Sequence, residues 1–128
     1  MIKSIENVCD LKYLSETMNG EKHLIKEIID VFLKQIREEL NGINDAVKKT
    51  NYAIIKNIAH TMRSTVSIMG ISMLAPVLKE MENLGTMATG GSTPPTTSIE
   101  KIKELNIKLN LICNQAMEEL EKEKHNYI

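Results

Sequence analysis

A nucleophile, a cation and two small hydroxyl residues fall within one short stretch, Ile58-Ala59-His60-Thr61-Met62-Arg63-Ser64-Thr65-Val66-Ser67-Ile68-Met69-Gly70. Laid on a helix at about 100° per residue, the stretch has two unlike faces. Ile55, Ile58, Ala59, Met62, Val66 and Met69 recur at spacings of three and four and form an apolar stripe. His60 points the other way, with Lys56, Arg63, Ser64 and Ser67 one or two turns above and below it. A neutral imidazole is a competent nucleophile near neutral pH. A cation one turn away can hold phosphoryl oxygens through charge-assisted hydrogen bonds. Arg63 suits that task, with Lys56 second. Lys56, Asn57, Ser64 and Ser67 are the candidate contacts for a docking partner, and the two serines leave the imidazole uncrowded.

Other chemistries find little support. His23, His60 and His125 sit on different elements with no HxxxH or Glu-x-x-His pair, so no metal site is expected. There is no GxxxxGK[ST] and no GxGxxG to cradle a nucleotide. Serine or cysteine catalysis would need an oriented base and an oxyanion hole, which a bare helical face does not supply. Cys9 and Cys113 lie far apart, outside any CxxC pair, and read as free thiols.

The elements that must position the histidine follow from apolar spacing and from turn residues. The 128 residues suit one domain, 42% hydrophobic and 26% charged, with aromatics at only 3%. Asp10 caps a short helix, Leu11 to Met18, which Asn19-Gly20 stops. A long helix runs from Glu21 to about Lys49. Gly42 costs it about 1 kcal/mol relative to Ala, but the three-four spacing passes through unbroken. Asn51 caps the helix carrying His60, and Gly70 suits the left-handed residue that closes it. A fourth helix starts around Ser72, placing Pro76 near its first turn, and runs to Gly85. Residues 86–98, with Gly90-Gly91 and Pro94-Pro95, read as a mobile surface loop. Thr97 and Glu100 form a capping box for a last helix, and residues 122–128 are expected to fray. The expected fold is all-α: an antiparallel up-down-up-down four-helix bundle with a short extra N-terminal helix.

Against this frame, Ala59-His60-Thr61-Met62-Arg63-Ser64-Thr65 with Met69-Gly70 resembles the Ala-His-x-Leu-Lys-Gly-Ser…Leu-Gly signature of histidine-containing phosphotransfer (HPt) domains. Upstream, Asp10-Leu11-x-x-Leu14, Asn19-Gly20 and the run Leu24 to Glu39 with Phe32 resemble that family's first two helices. Downstream, Leu74 to Glu82 resembles its short fourth helix. The likeness covers roughly residues 10–85. It implies that His60 is a phosphoacceptor, taking a phosphoryl group from a receiver-domain aspartate and passing it to another receiver. Response-regulator receiver domains, and a hybrid histidine kinase, are the implied partners. The chain itself would need no cofactor, and Mg²⁺ would come from the receiver. Arg63 stands where the family usually has Lys, Ser64 where it has Gly, and Thr65 where it has Ser. Arg keeps the charge but is bulkier and forked.

Three alternatives stand beside this reading: the dimerisation domain of a sensor kinase, a fragment of a chemotaxis-type kinase, and a bundle adaptor without phosphotransfer. The first usually has Glu or Asp directly after its His, where this chain has Thr61. Met1 and the loose tail favour a stand-alone protein, a monomer needs no extra assumption, and without an ATP-binding pattern a phosphocarrier is expected rather than an enzyme. The net charge of −1, with acids and bases interleaved, speaks against nucleic acid. With no signal-like N-terminus and no run of about 18 apolar residues, no membrane partner and a cytoplasmic location are expected.

Overall fold

The structure is a computed structural model describing residues 8–90 and 96–127, with only the backbone of 96, 97 and 127. Helices α1 (Lys12–Thr17), α2 (Lys22–Lys48), α3 (Tyr52–Ile68), α4 (Leu74–Thr89) and α5 (Thr96–Glu123) follow in order, and a 3₁₀ turn comes after them at Lys124–Tyr127. There is no strand among the described residues. The protein is an all-α bundle, in which α2 packs on α3, α3 on α4, α4 on α5 and α5 back on α2.

Side-chain pairings give the directions. Gln35 and Gly42 of α2 meet Thr65 and Ile58 of α3, so these helices run antiparallel. Asn44 meets Asn106 and Asn110, and Arg37 meets Glu121, which sets α2 antiparallel to α5. The α3–α4 pair is the most extensive. Met62, Leu78 and Met81 are fully enclosed there, each burial worth about 1.5–3 kcal/mol.

The turns share one device. The N–H groups of Gly20, Asn51 and Ile71 reach back five residues, to the carbonyls of Ser15 (2.8 Å), Ala46 (2.8 Å) and Val66 (3.1 Å). Such closures need a left-handed residue, supplied by Asn19, Thr50 and Gly70 at φ of 53°, 52° and 64°. Thr50 is the strained one, because a β-branched side chain disfavours that region. The Asn51 side chain accepts from Ile54 N at 3.2 Å, as its position suggests. Asp10 accepts from Lys12 N at 3.0 Å, although the cap position itself falls on Leu11.

Helix α2 passes through Gly42 without a break, and a Cβ there would sit 3.0 Å from Ile58 Cδ1, so the glycine suits the close approach of α3. Gly85 likewise does not end its helix. A Cβ on it would sit 3.0 Å from both the Tyr52 carbonyl oxygen and the Lys56 Cβ. The glycine lets α3 and α4 approach, and α4 continues to Thr89. The expected loop at residues 86–98 is therefore shorter at both ends, since α5 already begins at Thr96. Helix α4 starts at Leu74, two residues later than expected, and Pro76 remains in its first turn. The Thr97 side chain proposed for the capping box lies outside the described residues, as does its Pro94-Pro95 approach. Helix α5 continues to Glu123, and Lys124 pairs with Asp30 at 3.2 Å and Glu121 at 2.9 Å.

The segment before α1 is fastened at two points. The N–H groups of Val8 and Cys9 donate to the Glu119 carboxylate at 2.8–3.0 Å. The N–H of Asp10 donates to the Met69 carbonyl at 3.0 Å, at the closed end of α3.

Candidate functional site

His60 lies near the middle of α3, between a cap at Asn51 and a closure at Gly70. The predicted stripe is buried: Ile55, Ala59, Met62 and Met69 are fully enclosed and Val66 nearly so, with Ile58 packed at the edge. With that stripe fixed, the opposite face must look outward, and the His60 side chain is 70% exposed.

The imidazole is nevertheless held. Its Nδ1 lies 2.8 Å from Oε2 of Glu82 on α4, and Arg63 Nη1 donates to Oε1 of the same carboxylate at 2.8 Å. One carboxylate, only 19% exposed, thus takes both the imidazole and the guanidinium. The hydrogen bond from Arg63 is the main reason the Glu82 carboxyl lies below the ordinary carboxylate range. Burial opposes the shift and the bond to His60 adds to it. Glu82 is then ionised at neutral pH and can only accept hydrogen bonds. The proton in the His60–Glu82 bond therefore belongs to Nδ1, and in the neutral ring the lone pair is on Nε2.

An open hollow beside the ring is lined by His60, Arg63, Ser64, Ser67 and Ala75. The structure thus brings four of the sequence-predicted residues together. Ser64 and Ser67 are exposed, as small neighbours should be. Lys56 and Asn57 do not line the hollow. The stem of Lys56 is half-buried against Gly85, and the Asn57 carbonyl accepts from Thr61 Oγ1 at 3.1 Å. Gly70 lies at the far end of α3, where it closes the helix and meets Asp10.

Two groups near this face escaped the sequence reading. Glu82 is the first. A signal for it exists: His60 and Glu82 stand eleven positions either side of Ile71, in the turn between α3 and α4. Residues equidistant from the turn of an antiparallel hairpin come level. The second is a polar cluster beneath Thr65, which is buried. Thr65 Oγ1 lies 3.1 Å from Gln35 Nε2, 3.2 Å from Glu39 Oε2 and 3.3 Å from the Thr61 carbonyl oxygen. Burial raises the Glu39 carboxyl above its ordinary value, against the hydrogen bonds from Gln35 and Thr65.

Elsewhere the chemistry is thin. Cys9 and Cys113 are free thiols, each pushed up to about 12, chiefly by burial, which leaves them unreactive near neutral pH. Among the described residues no group of three or more His, Cys, Asp or Glu could hold a metal ion. No helix among them is long and apolar enough to cross a membrane.

The site is an exposed histidine, held by a carboxylate from the next helix, on the face of a helical bundle. A family model described as the Hpt domain matches residues 27–123. The chain belongs to the Hpt domain family, whose members serve histidine phosphotransfer in two-component signalling. No curated protein and no solved structure matches the chain.

Proposed function

We propose that this chain is a phosphotransfer protein of a multistep phosphorelay, with His60 as the phosphoacceptor. The observation that carries the reading is the His60 ring itself: exposed, with its Nδ1 held by Glu82, which leaves Nε2 as the nitrogen for an incoming group. A receiver domain bearing an aspartyl phosphate presents phosphorus to Nε2. The Nε2 lone pair forms the N–P bond as the P–O bond breaks, and the electron pair leaves with the aspartate carboxylate. A second receiver reverses the step.

Mg²⁺ and most of the charge stabilisation come from the receiver, so the chain needs positioning more than a cofactor of its own. Arg63 uses Nη1 on Glu82, and a guanidinium has five N–H donors, so others remain for a phosphoryl oxygen. Ser64 and Ser67 line the surface that the receiver covers. Lys56 and Asn57 act at its edge rather than in the hollow. The chain works as a monomeric cytoplasmic phosphocarrier without an ATP site, and a hybrid histidine kinase supplies the phosphate.

The test is incubation with a phosphorylated receiver domain. The protein should acquire an acid-labile, alkali-stable phosphoryl group that His60→Gln does not acquire. Labelling that persists in the variant would sink the assignment.

A further inference from the structure

Arg63 is the cation closest in sequence to His60, yet its charge is already balanced. Its Nη1 bonds Oε1 of Glu82 at 2.8 Å, and that carboxylate is ionised at neutral pH. The pair therefore brings donors to the site but no net charge. Transfer of a PO₃⁻ unit onto Nε2 leaves the site one charge more negative. Within this chain only a further cation can balance it.

The sequence is one-signed in this region. Between Asp45 and Glu80 the chain carries Lys48, Lys49, Lys56, Arg63 and Lys79 and no acid, so α3 has no carboxylate of its own. Lys48 and Lys49 stand at the end of α2, and Lys49 pairs with Asp45 at 3.1 Å. Lys56 packs its stem against Gly85, on the side of His60 away from the hollow. Lys79 is different. It is exposed, and among the described residues its ammonium has no ion pair or hydrogen bond.

The register of α4 against α3 places this free cation beside the hollow. Ser67 and Ala75 line one end of the hollow together, and His60 meets Glu82 at the other. Lys79 lies one turn after Ala75 and one turn before Glu82, on the same stripe of α4. It is level with Arg63, since both stand eight positions from Ile71 in the turn between the helices. Its side chain stands outside the lining. The flexible four-carbon stem can cover the single turn, about 5.4 Å, that separates it from Ala75. From this placement we infer that Lys79 is the cation that holds the phosphoryl group on His60, closing over the hollow from α4 while Arg63 stays on Glu82. The inference rests on the phosphoacceptor role of His60. As the Nε2 lone pair forms the N–P bond, the donor's bond to phosphorus breaks and its electron pair leaves with the donor. Lys79 gives up no proton. It donates charge-assisted hydrogen bonds to the phosphoryl oxygens and supplies the missing positive charge.

Phosphoramidate as a small donor tests this on the full chain without any receiver surface; its P–N bond breaks and the electron pair leaves with ammonia. Lys79→Gln should be phosphorylated at His60 about tenfold more slowly, the order of one charge-assisted hydrogen bond. Lys79→Arg keeps the charge and should stay within about threefold of wild type. Lys108→Gln makes the same charge change on α5 and should leave the rate unchanged. The second reading is a ³¹P NMR titration of the phosphorylated chain. A cation at hydrogen-bond distance favours the doubly charged phosphoryl group, so Lys79→Gln should raise the midpoint of its last ionisation by about 0.5–1 pH unit. A merely structural role would leave that midpoint where it is. Circular dichroism melts verify that each variant folds. A Lys79→Gln rate or midpoint no different from that of Lys108→Gln overturns the inference, as does a midpoint that moves in Lys56→Gln but not in Lys79→Gln. A wild type that takes no phosphoryl group at His60 overturns the phosphoacceptor role instead, so the two failures are distinguishable.

Discussion

Gly70→Ala tests how the start of the chain is held to the helix that carries His60. Gly70 has φ of +64°, and a Cβ built on it would lie 2.2 Å from the Asp10 carbonyl oxygen and 2.9 Å from its carbonyl carbon. Two costs follow. A left-handed conformation costs an L residue about 1–2 kcal/mol. The backbone at Asp10 must also retreat by roughly 1 Å to restore van der Waals contact. That retreat breaks the 3.0 Å bond from Asp10 N–H to the Met69 carbonyl, worth about 1 kcal/mol. The total is about 2–3 kcal/mol, a large share of the 5–15 kcal/mol typical of a domain. At roughly 3–4 °C per kcal/mol for this chain length, thermal unfolding followed by circular dichroism should shift down by about 6–12 °C. Gly70→Asn separates the two costs, since Asn tolerates the left-handed region but keeps the Cβ. It should recover only part of the loss. His60 lies ten residues earlier, about 15 Å along the helix, so phosphotransfer at a temperature where the variant is folded should be unchanged. A shift under about 2 °C for Gly70→Ala, or full recovery with Asn, would refute the contact with Asp10 as the cause.

Two further predictions concern the polar groups around the histidine. The folded-state value of Glu39 is raised above its ordinary 4.5 by burial, so its charged form destabilises the fold at neutral pH. The penalty is absent below the unfolded value and grows as pH rises through the folded one. Glu39→Gln should therefore unfold at a higher temperature than wild type at pH 7, with the difference closing below about pH 4; an equal difference at both pH values would show that the charge is not the cause. Ser67→Glu places a carboxylate in the hollow beside His60 and Arg63. It should slow transfer from a phosphorylated receiver at least about tenfold by like-charge repulsion, while the stability of the variant, changed only at an exposed site, stays within about 0.5 kcal/mol of wild type; undiminished transfer would place the receiver elsewhere.

Periodicity carried most of the fold because helical burial is a local pattern. The stripe from Ile55 to Met69 made the outward direction of His60 readable, and the spacing through Gly42 correctly outweighed the glycine. Gly85 was misread as a stop for an equally physical reason. Glycine ends helices, but it also lets helices touch, and only the Tyr52 carbonyl at 3.0 Å shows which role applies. The contact of Lys124 with Asp30, ninety-four positions away, has no local pattern to announce it. Glu82 escaped in the same way. On its own helix it is one more acid beside buried Met81, and its meaning comes from the register of α4 against α3.

That register bears on why the site spans two helices. A relay histidine has to be reachable by a partner's active site, yet an exposed side chain on a helix is free to change rotamer. Holding it from within α3 would require a neighbour one turn away, and those places are taken by Lys56, Asn57, Arg63 and Ser64. None of these is a carboxylate that could take the Nδ1 proton. The restraint has to come from a neighbouring helix, and Gly85 brings α4 close enough for Glu82, three residues earlier, to reach both His60 and Arg63. The glycine that seemed to end a helix and the acid that seemed incidental are parts of one arrangement. Together they restrain the imidazole from below and leave its upper edge open to a partner.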